Sequence, residues 1–354
     1  MLQSAWLACK QLYAQLIASY AIAEQSAAQD DAQRFLQLGR EQADLDNWKQ
    51  ALNHVNKASD LQPRDIDILY HRGRIYKGLG DYNAALVDLD TALRLQCSHA
   101  ESLMLRGEVK VCLGKHSDAV VDYDAALQLQ PDNPDLLHVR ALAKLELEDC
   151  IGALSDLDQA LILRHDDADM LRARGEAKVE LERFADALID LQASDRLQAD
   201  DPDTLFLKGR SHYELQYCKR AIEFLDRSDD LEPNDADTLW TRGLAKQELK
   251  DHEGILKDVN AACQLDSDGY DTAESHFVRA DAYYAVGDYD GALIHADEAL
   301  KLEPDDCDML ILRANIKLEL ADKKGRRQDL DKVERLKTGD PNAQYRGSGS
   351  CIIS

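Results

Sequence analysis

Small residues recur in this chain every 34 positions. Gly39, Gly73, Gly107, Ala141, Gly175, Gly209 and Gly243 are evenly spaced, and Ala280 and Ala314 continue the series after one step of 37. A second small residue follows twelve places later in most units (Ala51, Ala85, Ala119, Ala153, Ala187, Ala221, Ala292), and a third follows seven places beyond that. A fixed period of this length predicts an array in which each unit is one supersecondary element that buries its apolar face only against its neighbours. The three extra residues fall near Gly269, Tyr270 and Asp271, in a loop between two units.

Small residues at these three places let two antiparallel helices approach closely, with Leu and Tyr at helical spacing filling the volume between them. Each unit therefore reads as a helix hairpin, as in LYHRGRIYKGLGDYNAALVDLDTALRLQ, where Gly80-Asp81 separates the two helices. Proline breaks a helix interior but suits a first turn or a connector. All seven prolines (Pro63, Pro131, Pro134, Pro202, Pro233, Pro304, Pro341) fall at junctions between units.

The pattern resembles the tetratricopeptide repeat family, whose 34-residue helix-turn-helix unit carries small residues at these places. The resemblance covers residues 32–340 as nine units, near 32–65, 66–99, 100–133, 134–167, 168–201, 202–235, 236–269, 273–306 and 307–340. The last is degenerate, with Arg326 where Ala is expected. Residues 1–31, with the stripe Leu2, Trp6, Tyr13, Ile17 and Tyr20, are expected to form a capping helix, and 341–354 a flexible tail. The resemblance implies an all-α, right-handed superhelical solenoid with the first helix of each hairpin lining a concave groove.

In six units an Arg just before the first small residue is matched sixteen places later by Asp: Arg72/Asp88, Arg106/Asp122, Arg140/Asp156, Arg174/Asp190, Arg242/Asp258 and Arg313/Asp329. Where one member changes the other tends to change, as in Leu38/His54 and Lys208/Phe224, although Arg279 is kept opposite His295. A half-buried Arg without a carboxylate is costly, so these pairs are expected to join the two helices of a hairpin.

In the family, the fifth place of the first helix points into the groove; here it holds Leu36, Tyr70, Met104, His138, Arg172, Phe206, Trp240, Phe277 and Ile311. Tyr213 and Tyr284 lie seven residues beyond Phe206 and Phe277, on the same helix faces. Glu146, Glu180, Glu214, Glu248 and Glu319 recur at the thirteenth place. The expected peptide-binding residues are Tyr70, Phe206, Tyr213, Trp240, Phe277, Tyr284, Glu180, Glu214 and Glu248, for a peptide with apolar anchors and Lys or Arg. The acidic column at the second place (Asp67, Glu101, Asp135, Asp169, Asp203, Asp237, Glu274, Asp308) has a structural explanation, since negative charge is favoured in a first helical turn.

Forty-two Lys and Arg stand against 67 Asp and Glu, a formal charge of −25, which disfavours nucleic acid as a partner because phosphate would be repelled. The eight cysteines are scattered, with no CxxC pair and no grouping with His, so no metal or cofactor is expected and free thiols are the default. Asp266, Asp268, Asp271 and Glu274 depart from calcium-loop spacing. The key Asn residues of the carboxylate clamp used by chaperone-binding members of the family are lacking: after the small residue stand Arg40, Arg74, Glu108, Leu142, Glu176, Arg210, Leu244, Asp281 and, in the last unit alone, Asn315, and the place two before the small residue carries no Asn. No HExxH, GxSxG or phosphate-binding Gly loop is present, and the chain reads as a non-enzymatic scaffold or adaptor, the alternative being a soluble complex-assembly factor or a co-chaperone without the carboxylate clamp.

The last four residues, Cys351-Ile352-Ile353-Ser354, resemble a prenylation signal of the farnesyl type, preceded by the linker Gly347-Ser348-Gly349-Ser350. One prenyl chain gives reversible attachment, and residues 323–346, with a net charge of +4, are the candidate second signal. Cytoplasmic residence, with membrane contact through a lipid on Cys351, is the expectation.

Overall fold

The computed structural model describes residues 26–339. The N-terminal stripe, Cys351 and the basic residue Arg346 therefore lie outside the described residues. Within the described span every regular element is a helix.

The chain divides into two compact units, residues 1–177 and 178–354. The described part of the first contains α1 (residues 26–43), α2 (Trp48–Leu61), α3 (Ile66–Gly78), α4 (Tyr82–Leu95), α5 (Ala100–Cys112), α6 (His116–Leu129), α7 (Pro134–Leu145), α8 (Cys150–Leu163) and the start of α9 (Ala168–Glu180). The second continues with α10 (Phe184–Leu197), α11 (Pro202–Glu214), α12 (Cys218–Leu231), α13 (Ala236–Glu248), α14 (His252–Leu265), the short α15 (Ser267–Tyr270), α16 (Ala273–Val286), α17 (Tyr289–Leu302), α18 (Cys307–Glu319) and α19 (Lys323–Thr338).

Helices pair as hairpins, as α3 does with α4 and α11 with α12, and second helices also pack on the first helix of the next hairpin, as α4 does on α5 and α12 on α13. First helices of neighbouring hairpins touch as well: α3 with α5 and α5 with α7 in one unit, α11 with α13 and α16 with α18 in the other. The three expected extra residues form α15 and its flanks. The degenerate last unit is a complete hairpin, since α19 packs on α18 in spite of Arg326.

The small-residue columns work by removing atoms from the hairpin interior. A Cβ on Gly107 would come within 2.4 Å of the Tyr123 ring, and one on Gly209 within 2.6 Å of Leu225. Tyr123, Leu157, Leu191 and Leu225 are almost completely buried at this crossing. Between the two helices the fifteenth place of every hairpin adopts the left-handed region. It is Gly80, Gly114 and Gly287 in three hairpins and Asp46, Glu148, Glu182, Gln216, Lys250 and Ala321 in the others. Side-chain caps then start the next helix, as when Asp251 accepts from the Gly254 amide at 3.1 Å.

Five of the Arg–Asp pairs form as expected. In each, Nε and Nη2 of the Arg donate to the two carboxylate oxygens of an Asp on the second helix, as Arg106 does to Asp122 at 2.9 and 2.6 Å. Arg72, Arg140, Arg242 and Arg313 repeat this geometry. Arg174 and Asp190 belong to different units; Arg174 pairs with Asp158 at 2.9 Å and Asp190 with Lys178 at 2.6 Å, each within its own unit.

The pairs belong to a larger ladder. One helical turn after the Arg, a Lys reaches the same carboxylate: Lys110 to Asp122, Lys144 to Asp156, Lys246 to Asp258 and Lys317 to Asp329, at 2.6–2.8 Å. The remaining guanidinium nitrogen crosses to the preceding hairpin, where Arg106 meets Asp90, Arg140 meets Asp124, Arg242 meets Asp226 and Arg313 meets Asp297. The ladder thus ties helix to helix and hairpin to hairpin. Burial alone would push the Asp258 carboxyl up, but hydrogen bonds from Arg242 and Lys246 outweigh it and hold the group below the usual carboxylate range.

Candidate binding surface

In the second unit Phe206, Trp240 and Phe277 sit at equivalent places on α11, α13 and α16, half-buried. Phe206 packs against Leu207 and Leu191 and also against Ala245 and Leu225. Trp240 lies over Ile255, Val259 and Val278, with its ring 5.3 Å from that of Tyr270. Phe277 and Tyr284 pack around Met309 and Ile311. Each ring therefore bridges two hairpins while keeping part of its surface accessible.

Glu180, Glu214 and Glu248 are exposed at the ends of α9, α11 and α13. They are not equivalent. Glu180 accepts from Arg210 at 2.7 Å, which ties it into the stack. Among the described residues no cation is paired with Glu214 or Glu248. Burial raises the Tyr213 phenol above its ordinary pKa, and the nearby Glu214, Glu248 and Glu274 raise it further. The aromatic surface of this unit thus lies in a negative field.

Asp281 belongs to the same surface and was not among the expected binding residues. It stands at the ninth place of its hairpin, where Arg74 and Arg210 stand in theirs. Burial pushes its carboxyl up, and among the described residues it forms no ion pair. The signal was present in the sequence as an acid in a column containing three arginines, Arg40, Arg74 and Arg210.

Tyr70 belongs to the first unit. There it lines a cleft of about 450 Å³ with Trp48, Gly78, Met104 and Leu105. Burial raises the Tyr70 phenol, and His71 beside it is held down to about 4 by burial and by the charges of Arg40 and Arg74. The positive charges at this cleft are matched: Arg74 pairs with Asp44 at 2.8 Å and Lys77 with Glu108.

Among the described residues no group of three or more His, Cys, Asp or Glu is arranged to hold a metal ion, and no helix is long and apolar enough to cross a membrane. Asp266 and Asp271 of the inter-hairpin loop have structural roles: Asp266 accepts from the Gly269 amide at 2.9 Å, and Asp271 accepts from His276 at 2.8 Å.

Stacked hairpins of this kind make the chain a helical-repeat solenoid protein. Residues 70–134 and 273–306 each match a family model described as tetratricopeptide repeat. Solved structures agree on the fold. A tetratricopeptide repeat protein from Parabacteroides merdae is 16% identical over 68% of this chain and 94% of its own, with a TM-score of 0.54. The APC/C hetero-tetramer Cut9–Hcn1 is 18% identical over 76% of this chain and 52% of its own, with a TM-score of 0.58. The pilF protein of Pseudomonas aeruginosa is 16% identical over 61% of this chain and 96% of its own, with a TM-score of 0.54. A comparison with curated proteins finds no match. Proteins with this repeat generally mediate protein–protein interaction, and the fold is typically that of a non-enzymatic scaffold.

Proposed function

We propose that this chain is a non-enzymatic scaffold that holds partner proteins on the first-helix face of its second unit. Phe206, Tyr213, Trp240, Phe277 and Tyr284 supply apolar anchoring sites, and Glu214, Glu248 and Asp281 supply charge for Lys or Arg of the partner. The observation that carries this reading is the coincidence of half-buried rings with carboxylates that lack cations, expressed in the raised phenol of Tyr213. Aromatic anchors set among complementary charges are the usual composition of an interface hot spot. Glu180 contributes through its pair with Arg210, which a partner cation would have to displace.

The reading extends to the tail. Prenylation of Cys351, with the basic residues of 323–346 near an anionic leaflet, would tether the scaffold reversibly. The second reading is a soluble assembly factor, for which the same surface serves without the lipid.

Affinity capture with wild-type protein, with Trp240→Ala and with Glu214→Gln/Glu248→Gln tests the surface. The glutamates are exposed, so the double variant keeps the wild-type melting curve. Loss of one common set of partners from both variants is expected, and an unchanged set from the folded glutamine variant removes the proposal. Cys351→Ser separates the tethered from the soluble form: membrane recovery and gel mobility change only if the lipid is attached.

A further inference from the structure

The first unit carries a cleft whose chemistry differs from that of the aromatic and acidic surface. Trp48 at the start of α2, Tyr70 on α3 and Met104 on α5 converge on it, and its volume of about 450 Å³ is in the range of sites that enclose a small ligand or an inserted side chain. Gly78 shapes the floor. The thirteenth place carries Glu in five other hairpins, whereas here a Cβ would fall within 2.6 Å of the Trp48 ring. Glycine therefore removes both the recurring carboxylate and the volume that would keep the indole off α3.

The charges at the rim are already paired, although the buried Nε–H of Arg74 has no hydrogen-bond partner among the described residues. Arg74 pairs with Asp44, Lys77 pairs with Glu108, and Glu101 accepts from Gln130 at 3.4 Å beside His99. A charged group entering the cleft would lose its water without gaining an unpaired counter-charge, whereas an apolar group would lose nothing polar. Resting on the scaffold reading above, we propose that this cleft is a separate anchor pocket for one uncharged, apolar side chain of a partner peptide, of Leu, Met or Phe size.

The full-length chain labelled with ¹³C at its methionine methyls and ¹⁵N at its indoles tests this. The probes are a neutral peptide, acetyl-Gly-Ser-Leu-Phe-Ser-Gly-amide, and a basic one, acetyl-Gly-Arg-Leu-Phe-Lys-Gly-amide. The neutral peptide is expected to shift the Met104 signal saturably, with an affinity that added salt leaves unchanged. Met104→Glu removes that reporter, so its binding is read from the Trp48 indole that also lines the cleft; the neutral peptide is expected to bind about tenfold or more weakly while the melting curve and the response of the Trp240 indole to the basic peptide persist. A Met104 signal that ignores the neutral peptide while Trp240 responds to the basic one overturns the pocket and leaves the scaffold reading standing. If neither signal responds, both fall. A Met104 signal that moves with protein concentration alone means a second copy of the chain fills the cleft, and the proposal is wrong.

Discussion

The seventh and eighth hairpins lie side by side in the second unit and satisfy the same buried Arg in different ways. In the seventh (α13–α14), Arg242 is 6% exposed, and its partner Asp258, 1% exposed, also receives Lys246. In the eighth (α16–α17), Arg279 is 9% exposed and, among the described residues, has no carboxylate within ion-pair reach. His295 occupies the Asp place. Arg279 instead donates to the Ser275 carbonyl and hydroxyl and to Nδ1 of His276, each at 3.2 Å. His276 passes the polarity on, its Nε2–H donating to Asp271 at 2.8 Å, while His295 Nδ1 lies 3.1 Å from His276 Nδ1. The sixth hairpin shows a third solution, with Lys208 4.2 Å over the Phe224 ring and paired with Asp195. A buried cation in this fold thus requires a partner, and the identity of that partner sets how the hairpin responds to acid.

The largest expected effect follows from breaking the seventh hairpin. Asp258→Ala leaves Arg242 and Lys246 without their buried acceptor and should cost about 3–5 kcal/mol in denaturant unfolding. His295→Ala in the eighth hairpin removes no counter-charge and should cost clearly less. Equal losses would mean that the ladder contributes packing and not charge.

Restoring the ladder sharpens the same contrast. His295→Asp gives Arg279 a carboxylate at the place used in five other hairpins and should stabilise by about 1.5–3 kcal/mol near neutral pH, the range for hydrogen bonds to charged groups. A destabilised variant would show that the two-histidine arrangement cannot be replaced by the simpler pair.

Acid should separate the two hairpins. Burial, Arg279 and His276 hold His295 down to about 4, and burial and Arg279 also depress His276. Both histidines bind protons more readily in the unfolded chain, so their contribution is complete above about pH 6.5 and is lost as the pH falls, for His295 toward about 4. The depressed carboxyl of Asp258 retains its contribution until the pH falls below about 4. Hydrogen exchange at pH 5 should therefore show α16–α17 opening while α13–α14 stays protected. Uniform opening would contradict the assignment of the difference to the histidines.

The smallest effects lie in the turns. Lys250 adopts the left-handed region at φ 60° and Gly287 at φ 85°. Lys250→Gly should gain, and Gly287→Ala should lose, up to about 1 kcal/mol by thermal denaturation.

The hairpins were legible because the constraint on them is local and repeated: a Cβ at Gly107 or Gly209 has nowhere to go, so the spacing survives in the sequence. The Arg–Asp pairs were legible for the same reason. Lys110, Lys144, Lys246 and Lys317 were equally periodic but went unread, because a Lys four residues after an Arg also looks like an ordinary solvated helix face. The proposed binding residues were legible only in part. Periodicity placed Phe206, Trp240 and Phe277 on one face, yet it could not show that Glu180 is spent on Arg210 or that Asp281 has no cation, since both depend on contacts between hairpins. Nor could it find the cleft at Tyr70, which depends on a residue that breaks the pattern, Gly78, and on Trp48 filling the space it leaves.

Glu214, Glu248 and Asp281, the carboxylates of the second unit without a paired cation among the described residues, are central to the proposed binding. Titrating the full chain with the basic peptide at several salt concentrations measures them directly. The expected result is binding that weakens as salt rises and that loses most of this dependence in Glu248→Gln/Asp281→Asn. Binding of undiminished strength and salt dependence in that variant would contradict the account.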